Sequence, residues 1–371
     1  MNPTARATVP SGTVVALDRV RLPGPDVVRA VAMIGVVVMN YHGYLILRGG
    51  SRGDSAIDRF FDPWSGPLST RFAATFVLTA GVGVTLFTRN AAGHPKVERA
   101  RRWTLVRRGL VLYGFGLVFD EIWPGTILPF YGAMFVIAAG LFTLRTRWVV
   151  ATGLAAALAG AGLAWWRVEQ RLGGEDTDWL FAPTGRSPRA LLFDVFVNGT
   201  HPLFPWLAFM CAGIVVGRLL RTDWWRVASL AAGFTLFGVA SLIAGSVEPA
   251  PRATVLASTD PFDRGLLYTA SALGTALIAF AAISWLADRY VETVPIEVLR
   301  HAGAMSLTLY VAHALVFNLV VDWLGWVEPG GLGRALTFAA AYWAVAITLA
   351  WWWHERYGVG PVEWIYRKLG G

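Results

Sequence analysis

Residues 26–45 read DVVRAVAMIGVVVMNYHGYL. Ten residues separate Arg29 from Asn40, none of them charged and most of them apolar. A helix rises ~1.5 Å per residue, so Asn40 stands about 16 Å beyond Arg29 and His42 about 20 Å. A bilayer core is ~30 Å thick and takes about 20 helical residues. The stretch therefore reads as a membrane-crossing helix. One end carries Asp26 and Arg29, and the other carries Asn40, Tyr41 and His42.

The rest of the chain agrees. Of 371 residues, 55% are apolar and only 15% charged, against roughly 25% in an average soluble chain. Eighteen tryptophans, many near the ends of apolar runs, suit the membrane–water boundary. Ten segments are long enough to cross: 27–47, 68–88, 105–122, 126–144, 148–166, 202–220, 225–246, 266–287, 304–325 and 333–353. A weaker run at 190–198 reads as an interfacial or re-entrant piece. The single cysteine, Cys211, excludes a disulfide within the chain and reads as a small buried hydrophobe.

Loop charge orients the bundle. Segment 89–108 holds seven cations (Arg89, Lys96, Arg99, Arg101, Arg102, Arg107 and Arg108) against one acid, Glu98. The positive-inside rule makes it cytoplasmic. Arg145 and Arg147, then Arg218, Arg221 and Arg226, fall on the same side, as do Arg367 and Lys368. The acids Asp120, Glu121, Asp176, Asp260 and Asp263 fall on the other. Segment 289–301 is mixed in sign and fits least well. The expected fold is all-α, a polytopic integral membrane helix bundle of about ten transmembrane helices with both termini cytoplasmic. Residues 1–22 form a short tail, and 23–371 one transmembrane domain in the cell (inner or plasma) membrane. The net charge of +8 follows the loops, so no nucleic-acid partner is expected. Membrane lipid is the expected surrounding partner, and a homodimer stays open.

Polar groups inside a span usually face a cavity or a partner. Asn40, Tyr41 and His42 form one such group, although a tyrosine and a histidine near a helix end also serve as simple interfacial anchors. His313 lies mid-span in MSLTLYVAHALVFNLV. Ser306, Tyr310, His313 and Phe317 share one helical stripe, which fits a lined cavity or packing between helices. Asp194, Asn198 and His201 precede the proline-broken start of HPLFPWLAFMCAGIVVGR and suit the outer wall of a site, or an ordinary helix start with proline in its first turn. Asp120, at an outer helix end, is either solvated or the carboxylate that orients His42. The basic segment 89–108 is first a topology device and a contact for anionic lipid. It would also suit the phosphates of coenzyme A. There is no HExxH, no Cys/His pair at ligand spacing and no P-loop, so no metal is expected.

Several motifs together resemble a known family. Asp26, Arg29, Ala30, Ala32, Gly35 and Asn40 reproduce a D-x-x-R-[AG]-x-A-x-x-G-x-x-x-x-N pattern. It resembles the first span of YeiB-like proteins and of heparan-α-glucosaminide N-acetyltransferases, within the wider transmembrane acyltransferase group. FVLTAGVGVTLF, ILPFYGAMF, HPLFPWLAFMCAGIVVGR, GAMSLTLYVAH and GVGPVEWIYR extend the likeness over residues 20–370. The resemblance implies acyl transfer from cytoplasmic acyl-CoA, acetyl-CoA foremost, to a sugar or glycolipid acceptor on the far side. Asn40 would then steady the oxyanion, and His42 would take the acceptor's proton or the acyl group itself. Asp120 would assist His42, and His313 would be a deeper second base. Arg29, Arg99, Arg101, Arg102, Arg107 and Arg108, with Tyr310, would hold the cosubstrate. Asp194, Asn198 and His201 would hold the acceptor. The glucosaminide acetyltransferases carry their histidine eleven residues past the asparagine, where this chain has Ser51. The competing expectation is a transporter or lipid-binding protein without chemistry, because ten spans around a polar cavity suit transport equally. A tunnel from segment 96–108 to His42 would favour the enzyme, and a cavity open at one side only would favour transport.

Overall fold

The structure, a computed structural model, describes residues 22–181, 187–248 and 250–371. The expected tail at residues 1–22 lies outside them except for Leu22. The described residues form helices and loops, with no strand. In chain order the helices are α1 (Pro23–Leu47), α2 (Ala56–Phe60), α3 (Arg71–Thr88), α4 (Pro95–Phe119), α5 (Leu128–Leu141) and α6 (Thr146–Leu172). Next come α7 (Asp178–Phe181), α8 (Pro188–Phe193), α9 (Leu203–Leu219), α10 (Trp225–Ser246) and α11 (Pro251–Ala257). The last five are α12 (Leu266–Arg289), α13 (Val294–Ala304), α14 (Ser306–Phe317), α15 (Leu332–Tyr357) and α16 (Pro361–Gly370). Wider π-type turns extend α8 over Asp194–Asn198 and α14 over Asn318–Trp323.

Each of the ten expected segments lies on a helix, but the helices differ in what they could span alone. Seven are long and apolar enough to cross a membrane: α1, α3, α6, α10, α12, α14 with its π turn, and α15. The α8 extension and α9 form a pair bent by 59°, which as one span makes eight. The run 190–198 is thus the first limb of that bent pair. Helix α5 has only 14 residues, and the first half of α4 is too charged for an apolar span. The protein is therefore a multi-pass helical membrane protein, with seven or eight apolar spans among the described residues by length and composition.

Helix α1 is the hub. It starts at Pro23, whose fixed φ and missing N–H suit a first turn. It stops near Gly49, which takes a φ of +98° that favours glycine. Five helices surround it: α3, α12, α13, α14 and α15. Consequently most of α1 is buried in protein, whereas α10 keeps most of its apolar window exposed.

Glycines let backbones meet where lipid gives no hydrophobic drive. At the α3–α9 crossing a Cβ on Gly213 would land on the carbonyl oxygen of Leu78, and one on Gly81 on that of Met210. Neither carbonyl belongs to a flexible side chain that could move aside. Gly213→Val is therefore expected to destabilise the bundle by about 1–3 kcal/mol through overpacking. Thermal unfolding in detergent measures it, and an unchanged midpoint would mean that the two helices do not meet as described.

Candidate functional site

Consecutive residues on a helix point about 100° apart. Asn40, Tyr41 and His42 therefore cannot share a direction, and the structure sends them three ways. Asn40 faces a cavity and α14, where its Nδ2 lies 3.2 Å from His313 Nε2. Tyr41 is fully buried, donates its hydroxyl to the His313 carbonyl at 3.0 Å and stacks on Phe338. His42 turns toward α2, where its Nδ1 is 2.9 Å from the Phe61 carbonyl. His42 lines neither of the two cavities beside α1, and its Nε2 is buried without a hydrogen-bond partner.

The tautomer of His313 follows from its neighbours. Its Nδ1 contacts the Tyr310 carbonyl, which can only accept, so Nδ1 carries the proton. Neutral Nε2 is then an acceptor for one N–H of Asn40. The asparagine amide is held by that bond, and its second N–H stays available. His313 itself is fully buried, with Trp123 edge-on at 5.1 Å. It orients Asn40 from behind rather than facing the cavity.

Two cavities lie back to back along α1. The first has a volume of about 280 Å³ and holds Asn40, with Thr70, Trp64, Trp123, Thr200 and His201 around it. The second, about 270 Å³, holds Arg29, Arg108, Tyr131, Glu363, Tyr366 and Arg367. Phe76, Ile127 and Tyr310 border both. The arrangement is neither an open tunnel to His42 nor a single one-sided cavity. It is two neighbouring chambers that share Phe76, Ile127 and Tyr310 in their linings.

In the Arg29 chamber, Arg29 Nη1 bonds Asp26 at 3.0 Å and reaches the Gly303 carbonyl at 3.4 Å. Arg108 donates to the Gly371 carbonyl at 2.9 Å. The Tyr131 hydroxyl is buried there without a hydrogen-bond partner. Of the other cations expected to hold a cosubstrate, Arg101 lies over the Phe87 ring and Arg102 bonds the Ala139 carbonyl at 3.0 Å. Arg99, Arg101, Arg102 and Arg107 do not line the chamber. Glu363, from α16, is buried and accepts from Leu307 N at 2.7 Å, Thr308 N at 3.1 Å and the Thr308 hydroxyl at 2.5 Å. It caps the first turn of α14, which carries Tyr310 and His313. In the sequence it is a lone acid within GVGPVEWIYR, with no local sign of the distant helix end that it meets.

In the Asn40 chamber, His201 stands against Trp206 and Phe130, its Nδ1 without a partner. Arg264 fixes the turn that carries it, donating to the carbonyls of Val197, Asn198 (3.2 Å) and Gly199 (2.6 Å). Burial pushes the Arg264 guanidinium down to about 10, so it remains a cation at neutral pH. Asn198 bonds the Leu180 carbonyl at 3.1 Å, and Asp194 accepts Gly199 N through its backbone at 2.9 Å. Neither lines the chamber. Asp120 is not paired with His42; its carboxylate accepts Gly125 N at 2.9 Å and shapes the 120–125 turn. At the rim, Asp62 accepts from Trp64 N and Ser65 N. Partial burial raises its pKa, but these bonds outweigh it and hold the carboxyl below its ordinary value.

One cluster of metal-ligand type lies elsewhere among the described residues: His301, His354 and Glu355. The two imidazoles stack at 3.9 Å and 17°. Their lone pairs lie in nearly parallel ring planes, so they do not converge on one ion as tetrahedral ligands do.

The pattern of a family described as heparan-alpha-glucosaminide N-acetyltransferase, catalytic, matches residues 21–246, more than half of the chain. The chain belongs to this family. A second pattern, described as protein of unknown function (DUF418), matches residues 218–370 and covers the YeiB-like motifs of the C-terminal part. No curated protein matches the chain. The first match contains Arg29, Asn40, Tyr131 and His201. The second contains Tyr310, His313 and Glu363. Both chambers draw on both halves.

Proposed function

We propose that the protein is a transmembrane acyltransferase that uses acyl-CoA from the Arg29 side and an amine or hydroxyl acceptor on the Asn40 side. The observation that carries this reading is the pair of chambers meeting at one layer. One is ringed by Arg29, Arg108 and Arg367, and the other holds a preset asparagine amide. The cations suit the phosphates of coenzyme A. The buried, unpartnered hydroxyl of Tyr131 suits a polar group of the arm that enters beside them, because buried hydroxyls are normally bonded.

In the transfer, the acceptor's nitrogen or oxygen attacks the thioester carbonyl. Asn40 donates its free N–H to the oxyanion, and His313 keeps that amide aligned. His201, the neutral imidazole lining the acceptor chamber, relays the acceptor's proton and does not keep it, because burial and the nearby Arg264 cation disfavour a lasting imidazolium. The C–S bond then breaks, the new C–N or C–O bond remains, and the proton ends on the leaving thiolate as CoA–SH. Acetyl is the acyl group the family favours. A sugar amine or hydroxyl is the favoured acceptor, with Trp64 and Trp123 as apolar walls for its ring.

The seven apolar helices, the bent pair, α4 and α5 make ten crossings with both termini on the cytoplasmic side. Loop charge supports this. The residues around the Arg29 chamber lie toward the loops and ends rich in arginine, and those around the Asn40 chamber toward loops carrying Asp120, Asp260 and Asp263. The membrane is the cell (inner or plasma) membrane.

The test is purified protein with radiolabelled acetyl-CoA and a panel of amino sugars and glycolipids, read as free thiol and labelled acceptor. His201→Ala is expected to lower turnover by about 10²-fold or more, whereas His42→Ala acts on the α2 loop and mainly lowers stability. No coenzyme A binding and no label transfer would sink the proposal. Passage of an intact solute without thiol release would instead favour transport.

A further inference from the structure

The wall between the chambers poses a problem that the transfer chemistry does not solve. Asn40 borders only one chamber, while the cations border the other. Three side chains, Phe76, Ile127 and Tyr310, line both. A thioester held by the cations has to pass these three to reach the asparagine amide.

The three differ in how they are held. Phe76 packs through its ring, 5.6 Å from that of Tyr131, and Ile127 is aliphatic. Tyr310 alone of the three has its side chain latched by hydrogen bonds. Its hydroxyl is 2.9 Å from Thr126 Oγ1 and 3.3 Å from Ile127 N. Both partners sit on the short link between α4 and α5, which turns at Gly125 with a φ of +81°. Releasing the two hydrogen bonds removes the polar hold on the side chain and leaves its packing against the Phe119 and His313 rings. A neutral hydrogen bond contributes little net stability, so such a latch is openable on binding.

We infer that Tyr310 is the gate between the two chambers, and that its latch to Thr126 and Ile127 limits which acyl groups pass to Asn40. The acyl-group clause rests on the acyltransferase reading; the gate itself does not. The Asn40 chamber must hold the acyl group and the acceptor together. At about 280 Å³ it lies just under the usual range for small-molecule sites, about 300–1,000 Å³. A short acyl group fits that space, and a long one competes with the acceptor.

Thiol accessibility tests the gate without requiring turnover. Ala73 lines the Asn40 chamber only, and the native thiol, Cys211, is buried. Ala73→Cys in oriented vesicles is expected to react with a membrane-impermeant maleimide from the Asn40 side alone. Adding Tyr310→Ala is expected to open labelling from the Arg29 side as well, by tenfold or more. Tyr310→Phe and Thr126→Val keep most of the packing and remove the latch, so each should give an intermediate rate. Equal labelling from both sides with Tyr310 intact overturns the gate. So does one-sided labelling in all three variants. With turnover in hand, the wild type should prefer acetyl-CoA to hexanoyl-CoA, and Tyr310→Ala should narrow that preference by on the order of tenfold. An unchanged ratio overturns the selectivity clause. If labelling switches sides but no acyl-CoA is ever consumed, the gate stands and the acyltransferase reading fails.

Discussion

Asn40→Ala is expected to lower acyl transfer by about 10²–10³-fold, the usual cost of losing one oxyanion donor. The loss should fall on kcat and leave the KM for acyl-CoA near the wild-type value, because Asn40 touches only the reacting carbonyl and the cations lie in the other chamber. Asn40→Asp should be at least as damaging, since a carboxylate offers no N–H and repels the developing oxyanion. His313→Ala removes the acceptor that aligns the amide at 3.2 Å. It should cost less than Asn40→Ala and act through it, so the double variant should be little worse than Asn40→Ala alone. Steady-state kinetics with purified protein decide the matter. An Asn40→Ala enzyme that keeps more than half of its turnover would remove the asparagine from the mechanism.

Glu363→Ala is expected to destabilise the fold by about 2–4 kcal/mol, since hydrogen bonds to a charged group contribute about 1.5–3 kcal/mol each and are not additive. The carboxylate satisfies the Leu307 and Thr308 amides and the Thr308 hydroxyl, and it stands at the positive end of α14. Truncation leaves those amides without a partner. Glu363→Gln keeps one acceptor oxygen and should recover part of the loss. Thermal unfolding in detergent measures both variants. A shift of less than half a degree for Glu363→Ala would show that the cap contributes nothing. Because α14 carries Tyr310 and His313, the alanine variant should also weaken the preference for short acyl-CoA before it abolishes turnover.

The helices were legible because burying a backbone in lipid demands long apolar runs, and such runs are visible in one dimension. Helix α4 shows the limit. Its arginines read equally well as a topology signal, as lipid contacts or as a phosphate site. Folding separated them: Arg108 lines the chamber, whereas Arg102 bonds the Ala139 carbonyl and Arg101, although it shares the Phe87 ring with Arg108, does not line it. Nothing in the local sequence distinguishes those residues, because the difference lies in what packs against each.

The polar groups tell the same story at closer range. The stripe of Ser306, Tyr310, His313 and Phe317 was readable from helical spacing, and its members do lie along one side of α14. What spacing could not give was the partner. His313 meets Asn40 from 273 residues away, and Thr126 holds Tyr310 across 184. Arg264 and Glu363 drew no attention in the sequence, since each acts on a distant turn or helix end. His42 drew too much, because three adjacent polar letters look like a cluster although helix geometry fans them apart.

By itself, then, the sequence determined that this chain is a multi-pass helical membrane protein, with Arg29 and Asn40 about 16 Å apart on one helix. Apolar length and helical rise are local properties, so one dimension suffices for them. Only the tertiary structure decided that Asn40 is aimed by His313, that His42 turns to Phe61, and that Tyr310 stands between two chambers. Those are contacts between helices, set by which faces meet when the bundle closes.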